Sequence, residues 1–133
     1  MIEQESLQLK LKKKVFFSEN IKDAEQAIKS SGKEISNLFE NSSGGVRLLD
    51  SSGNIVAVND AYCRIFGKTK EQLLGNPYYI VYNFSGNIDE ALAEFKLQFN
   101  RRTFPQSFSS KAVLSSGKVL SFNVTNTFVQ FSS

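Results

Sequence analysis

Seven consecutive residues in the middle of the chain combine aromatic rings with hydroxyl groups: Tyr78, Tyr79, Ile80, Val81, Tyr82, Asn83 and Phe84. Aromatic faces bury flat molecules, and phenol hydroxyls hydrogen-bond to the polar edges of such molecules. If the segment lines a pocket, these residue types suit a flat or partly polar organic ligand. The alternative is that these rings only fill the core.

Acid–base catalysis would need a buried carboxylate or another base close to such a pocket. The chain contains no His, which excludes a Ser-His-Asp triad, a His-ligated zinc site and a His-ligated haem within these residues. The remaining candidates lie at helix caps or on helix faces, where solvated carboxylates are expected: Asp60, Glu71, Asp89, Glu90 and Glu94. We therefore predict no catalytic residue and no metal site, and a small α+β cone isomerase is the weakest alternative.

The composition is that of one globular domain, with 133 residues, of which 41% are apolar, and a net charge of +3. The single cysteine, Cys63, permits no intrachain disulfide and is expected to pack in a helix. The only basic cluster is Lys10 with residues 12–14, and it lies among seven acids in residues 1–40. It predicts a solvated strand edge rather than a nucleic-acid-binding face.

No segment has the length of an apolar membrane span, and the N-terminus lacks the apolar core of a signal peptide. We therefore expect no membrane insertion of this segment and a cytoplasmic location.

The N-terminal third has two periodic patterns, followed by a Gly- and Ser-rich boundary at 41–45. Residues 7–17 alternate apolar and polar side chains, which predicts a strand. Residues 20–39 have a helical stripe at steps of three and four, which includes Ile21, Ala24, Ile28, Ile35 and Leu38. The stripe predicts either a homodimer seam or a helix that packs on its own domain.

The remaining residues predict two hairpins separated by short helices. The first hairpin joins strands 46–50 and 55–58, and the second joins strands 104–115 and 119–131. Helices segregated between hairpins indicate an α+β domain with an antiparallel sheet.

Cap residues set the predicted helix starts. Asn59 caps a helix that Gly67 ends, Thr69 opens a capping box, and Asn87 caps a longer helix.

Five short runs have the order and spacing of the PAS family of sensor domains: Leu38–Ser42, Leu49–Ile55, Val58–Tyr62, Ile65–Gly67 and Glu71–Gly75. The chain resembles that family over residues 38–131, although the second half adds only Ser116-Gly117-Lys118. The resemblance implies a PAS fold. This fold has an antiparallel sheet of four or five strands with short helices packed on one face, here preceded by an N-terminal linker helix.

The resemblance also implies a ligand pocket between the sheet and the helices. The residues it suggests are Asn59, Phe66, Tyr78, Tyr79, Val81, Tyr82, Phe95 and Phe122, each with a cap or core role as the alternative. Light-sensing members carry a flavin-adduct Cys where this chain has Tyr78, haem-binding members use a His, and flavin redox members commonly use Trp. His and Trp are both absent. We therefore predict no cofactor, and an unknown small organic ligand as the possible occupant.

The same resemblance implies a division of the chain into three segments. Residues 1–17 are a strand-like tail, similar to the last strand of a preceding domain. Residues 18–42 resemble the amphipathic signalling helix that links consecutive PAS domains in bacterial sensor histidine kinases. Residues 43–133 are the PAS domain, in which only four strands are predicted. Our hypothesis is that residues 7–17 fill the vacant edge of that sheet.

The predicted function is a signal-sensing and dimerisation module of a larger protein such as a sensor histidine kinase. Its expected partners are a second copy of the chain and neighbouring PAS or kinase domains, with no nucleic acid. The alternative is a PAS domain without a ligand, which acts as a spacer or a protein-docking surface.

Overall fold

The computed structural model of the protein describes residues 11–18, 24–30, 33–42, 44–83 and 86–129. Within them the strands are β1 (Leu11–Phe17), β2 (Gly45–Leu49), β3 (Ile55–Val58), β4 (Ser107–Val113) and β5 (Val119–Phe128). The helices are α1 (Ala24–Ser30), α2 (Lys33–Glu40), α3 (Asp60–Phe66), α4 (Lys70–Leu73) and α5 (Ile88–Arg101), with a 3-10 turn at Tyr78–Val81. The predicted α+β class and the two hairpins are confirmed.

The strands form one mixed sheet in the order β3-β2-β1-β5-β4. Strand β1 lies at its centre and runs parallel to both β2 and β5, whereas the two hairpins are antiparallel. The expectation of a wholly antiparallel sheet is therefore wrong. The hypothesis that residues 7–17 supply the missing strand is confirmed for Leu11–Phe17, but this strand lies at the centre of the sheet and not at an edge. The reason is the connection, because α1 and α2 provide the crossover that a parallel β1–β2 pair requires.

Both faces of the sheet are covered at β1. Val15 and Phe17 face the side on which α3, α4 and α5 pack, and Phe16 faces the side of α1 and α2. The packing of the short helices on one face is confirmed. Burial on both faces also explains the continuous apolar run Val15-Phe16-Phe17, because a strand covered on both sides needs no polar alternation.

The helical pattern predicted over 20–39 corresponds to two helices, α1 and α2, among the described residues. Ile28 is 4% exposed and lies in a cluster with Phe16 and Phe39, so this part of the stripe packs on the chain's own sheet. Ala24 packs against the same cluster, and Leu38 is 36% exposed. Ile35 lies within α2, and Ile21 lies outside the described residues.

Local hydrogen bonds fix the starts of the helices on the other face. The Thr69 hydroxyl accepts from the Gln72 amide at 3.2 Å, and the Gln72 side chain accepts from the Thr69 amide at 2.9 Å. The Asn87 side chain accepts from the Glu90 amide at 3.1 Å. These bonds confirm the predicted capping box of α4 and the predicted cap of α5.

A chain that begins at Asn20 lacks β1 and should lose cooperative unfolding, measured by circular dichroism during heating. The physical reason is that β2 and β5 would each lose a hydrogen-bonded neighbour. The apolar cluster on each face of the sheet would also lose side chains of β1. As a milder comparison, Phe17→Ala in the full chain should lower the free energy of unfolding by about 3–5 kcal/mol. An unchanged melting curve for the shortened chain would contradict the central position of β1.

Candidate functional site

Two adjoining cavities, of about 330 and 440 Å³, lie on the α5 side of the sheet. They share four lining residues, Arg47, Tyr78, Phe108 and Val124. The smaller cavity is surrounded largely by rings, contributed by Phe17, Tyr78, Phe95, Phe104 and Phe108. The site therefore has flat apolar walls, which suit a small aromatic or aliphatic body.

The walls are held by ring packing between separate elements. Phe17 of β1 stacks on Phe104 with ring centroids 4.2 Å apart, and Tyr78 stacks on Phe95 of α5 at 5.3 Å. Phe108 of β4 is 41% exposed although it lines both cavities. The cavities are thus ordered by the core on one side and open to solvent beside β4.

Arg47 is the buried polar centre of this site. It lies on β2 between Val46 and Leu48, and only 6% of it is exposed. Its Nη1 donates to the Tyr62 hydroxyl at 3.0 Å and, more weakly, to the Tyr78 carbonyl at 3.5 Å. Its buried Nε has no hydrogen-bond partner. The guanidinium also lies 5.9 Å from the Tyr62 ring centroid and 5.5 Å from that of Tyr78.

The electrostatics keep Arg47 charged and its tyrosine neighbours neutral. Burial alone would lower the pKa of Arg47, but the interactions with Tyr62, Tyr82 and Tyr78 outweigh it and the pKa is raised. Burial raises the pKa of Tyr62 to about 12, against the opposing effect of Arg47. Burial likewise raises the pKa of Tyr78. At neutral pH the site therefore holds a cation surrounded by protonated phenols.

The structure brings together three of the eight residues suggested for the pocket. Tyr78 and Phe95 line the smaller cavity, and Tyr78 and Tyr82 line the larger one. The core residues Phe66, Val81 and Phe122 are buried and line neither cavity. Tyr79 is half-buried, with its ring edge-on to Tyr78 at 5.5 Å. Their roles as ligand contacts stay predictions.

Asn59, the eighth suggested residue, joins β2 to the start of α3. Its side-chain oxygen accepts from the Tyr62 amide, as a helix cap, and from the Val46 amide, both at 2.9 Å. Its amide nitrogen donates to the Gly44 carbonyl at 3.1 Å. These bonds confirm the cap role that the sequence predicted as the alternative to ligand contact.

Asn59→Ala should lower the free energy of unfolding by roughly 2–4 kcal/mol, because it removes a helix cap and leaves buried backbone groups unpaired. Asn87→Ala is the matched control, since Asn87 is an exposed cap of α5 and should lose only about 1 kcal/mol. Urea unfolding curves measure both values. Equal losses in the two variants would show that Asn59 is no more than an ordinary cap.

A third cavity, of about 370 Å³, lies on the opposite side of β3, between that strand and the first two helices. Its lining includes Ile28 and Phe39 together with the charged residues Glu25, Lys29 and Glu40. These three charged residues are exposed. Asn59 lines this cavity as well, but its polar atoms are bonded to the backbone.

The candidate groups for catalysis are not gathered in the aromatic cavities. All five carboxylates considered from the sequence are exposed, and Glu94 is the one that lines an aromatic cavity. Cys63 is half-buried on α3, and burial raises the pKa of its thiol. Among the described residues no cluster of metal-binding side chains occurs. The site thus offers recognition by rings, phenols and a guanidinium, without a buried acid.

The sequence analysis did not single out Arg47. The available signal was a single charged residue inside the apolar run Val46-Arg47-Leu48-Leu49. Within that run Val46 and Leu48 belong to the cluster beside α1 and α2, whereas Leu49 belongs to the opposite cluster. Alternation along a strand places Arg47 on the face of Leu49, towards the cavities.

Comparison with known proteins identifies the family. The family model described as PAS fold matches residues 33–131, which is most of the chain. The chain therefore belongs to the PAS fold family. The matched range includes the residues that line the cavities from β2 to β5, and β1 lies outside it.

Two similar proteins give further context. The C4-dicarboxylate transport sensor protein DctS of Rhodobacter capsulatus is 30% identical over 80 residues, which are 60% of this chain and 12% of that protein. The chain thus spans only a small part of that relative's length. The solved PAS domain of an HTR-like protein from Haloarcula marismortui has a TM-score of 0.49 at 19% identity, covering 75% of this chain and 80% of its own.

In the part of the chain that the structure describes, no helix has both the length and the apolar character needed to cross a membrane.

Proposed function

We propose that this chain is the sensory module of a larger signal-transduction protein, and that a small organic ligand in the aromatic cavities is its signal. The observation that carries the proposal is the buried, incompletely bonded Arg47 within ring-lined space on the helix-covered face of the sheet. A binding cavity typically combines apolar walls with a few fixed polar groups, and this site has both.

Strand β1 supplies a physical route from the cavity to the N-terminal helices. Val15 and Phe17 line the smaller cavity, while Phe16 between them packs on the opposite face with Ile28 and Phe39. A ligand that moves β1 therefore changes the packing of α1 and α2. Such a response requires two arrangements of β1 and the helices that the ligand binds with different affinities.

The parent protein is proposed to be a sensor histidine kinase, with PAS or kinase domains as neighbours in the same chain. The supporting observation is the similarity to a relative named as a sensor protein, of which this chain corresponds to 12%. The proposal retains the linker at 18–42, the PAS domain at 43–133 with β1 as an additional strand of its sheet, and the cytoplasmic location expected from the sequence.

Titration of the isotope-labelled chain with neutral and charged aromatic fragments should reveal ligand entry in amide NMR spectra. We expect shifts at the cavity residues Tyr78, Phe95 and Phe104, accompanied by shifts in α1 and α2, because β1 contacts both regions. Shifts confined to the cavity would contradict the relay. The absence of any fragment bound at the cavity would favour the ligand-free spacer or docking domain.

A matched pair of variants tests the route through β1 in the same spectra. Phe16→Leu should keep the ligand shifts at the cavity and weaken those in α1 and α2, because Phe16 packs with the helix residues Ile28 and Phe39. Val119→Ala is the control on β5, at a side chain that is 53% exposed and lines neither cavity. It should leave the helix shifts unchanged.

Homodimerisation through the N-terminal helices is part of the proposal, with Leu38 rather than Ile28 as its apolar contact. Leu38 is 36% exposed on α2, whereas Ile28 is buried within the chain. We expect Leu38→Asp to lower the mass measured by light scattering from dimer to monomer. The control Asn37→Asp adds a charge at the neighbouring exposed position and should leave the mass unchanged. A dimer that survives Leu38→Asp would exclude this contact.

A further inference from the structure

We infer that the ligand of the aromatic cavities is a monocarboxylate with an apolar, ring-sized body, held by the guanidinium of Arg47. This inference rests on the proposed sensory function and adds the chemical class of the ligand. It is argued from three features of the site: an unmet hydrogen-bond donor, the balance of charge, and the shape and chemistry of the walls.

The unmet donor is Nε of Arg47. Burying a charged group without full hydrogen bonding is unfavourable, and buried charges in proteins are usually paired. Arg47 is 6% exposed, and its Nε has no partner although Nη1 bonds to Tyr62. Arg47 lines both cavities, and a guanidinium binds a carboxylate through parallel N–H donors, so a carboxylate that reaches this side chain from a cavity is the matching group.

The charged side chains around the cavities match a ligand with a single carboxylate, because Arg47 is the one basic residue among the described residues that line them. Of the residues lining the two cavities, two carry a charge at neutral pH, Arg47 and Glu94. Glu94 is exposed on α5 and borders the smaller cavity, so a second negative charge on the ligand would approach a like charge there. The tyrosines around Arg47 stay protonated at neutral pH because burial opposes their ionisation. They therefore add donors and no negative charge.

The walls of the smaller cavity determine the size and polarity of the ligand's apolar body. The smaller cavity measures about 330 Å³, and five rings from β1, β4, α5, the 3-10 turn and the α5–β4 connection contribute to its walls. Burial of an apolar body against these rings contributes affinity in proportion to its area. A carboxylate with a single ring or a short aliphatic chain fits within this space and presents its charge to Arg47.

Calorimetric titration of the full chain tests the inference with three probes. Phenylacetate has the proposed chemistry, phenylacetamide has the same shape without the charge, and succinate has a second carboxylate in place of the ring. We expect phenylacetate to bind at least about tenfold more tightly than either of the others, because a charge-assisted hydrogen bond contributes roughly that much or more.

Substitution of Arg47 identifies the residue responsible. Arg47→Met should weaken phenylacetate binding by about ten- to hundredfold and leave phenylacetamide nearly unchanged. Arg64→Met is the matched control, since Arg64 is exposed on α3 and lines neither aromatic cavity. Because Arg47→Met alone leaves the Tyr62 hydroxyl without this donor, the double variant Arg47→Met with Tyr62→Phe removes both groups and preserves a folded chain for the same measurement.

The outcomes separate this inference from the proposed function. Equal binding of phenylacetate and phenylacetamide, or tighter binding of succinate, would overturn the monocarboxylate and leave a ligand-binding sensor. Unchanged phenylacetate binding in the Arg47 variants would overturn the role of the guanidinium. If neither phenyl probe binds although the fragment titration finds a cavity ligand, only this inference fails. If no compound enters the cavities in either experiment, the proposed function fails with it.

Discussion

The hydrogen bonds of β1 to both of its neighbours hold the rest of the structure in place. Five residue pairs join it to β2 and seven join it to β5, all in parallel register. Without these two ladders the β2–β3 hairpin and the β4–β5 hairpin would have no shared sheet. The same strand provides Val15 and Phe17 to the aromatic cavity and Phe16 to the packing of α1 and α2. Sheet integrity, cavity shape and the position of the N-terminal helices are therefore linked through one segment.

Arg47 is a buried cation that this arrangement holds on the helix-covered face of the sheet. A cation in an apolar interior is tolerated when aromatic faces and hydroxyl oxygens surround it, and Tyr62 and Tyr78 provide these groups. The Tyr62 hydroxyl and the Tyr78 backbone carbonyl accept from Nη1, and Nε has no hydrogen-bond partner.

Local chemistry made much of the fold predictable. The caps at Asn59, Thr69 and Asn87 are short-range hydrogen bonds, and their sequence signatures predicted the starts of α3, α4 and α5 correctly. The place of β1 was not predictable in this way, because an apolar strand has the same pattern at the centre of a sheet as in another domain. Its parallel pairing depends on long-range register, which no short pattern encodes.

The candidate site was predicted only in part for a related reason. Tyr78, Tyr82 and Phe95 combine ring chemistry with a position near the cavity, whereas Phe66, Val81 and Phe122 have the same apolar character but lie in the core. Periodicity identifies which face of an element is buried. It does not distinguish a side chain beside empty space from one that is fully packed.

The parallel pairing of β1 with β5 also has a consequence for how the chain is made. Leu11 pairs with Phe122, so β1 is synthesised long before its second partner in this sheet exists. Contacts between such distant residues form slowly, and an unpaired strand invites association with other chains in the meantime. The lysines at 12, 13 and 14 place three positive charges on β1 while it has no partner in the sheet. Repulsion between these lysines on neighbouring nascent chains opposes their association until β5 has been made.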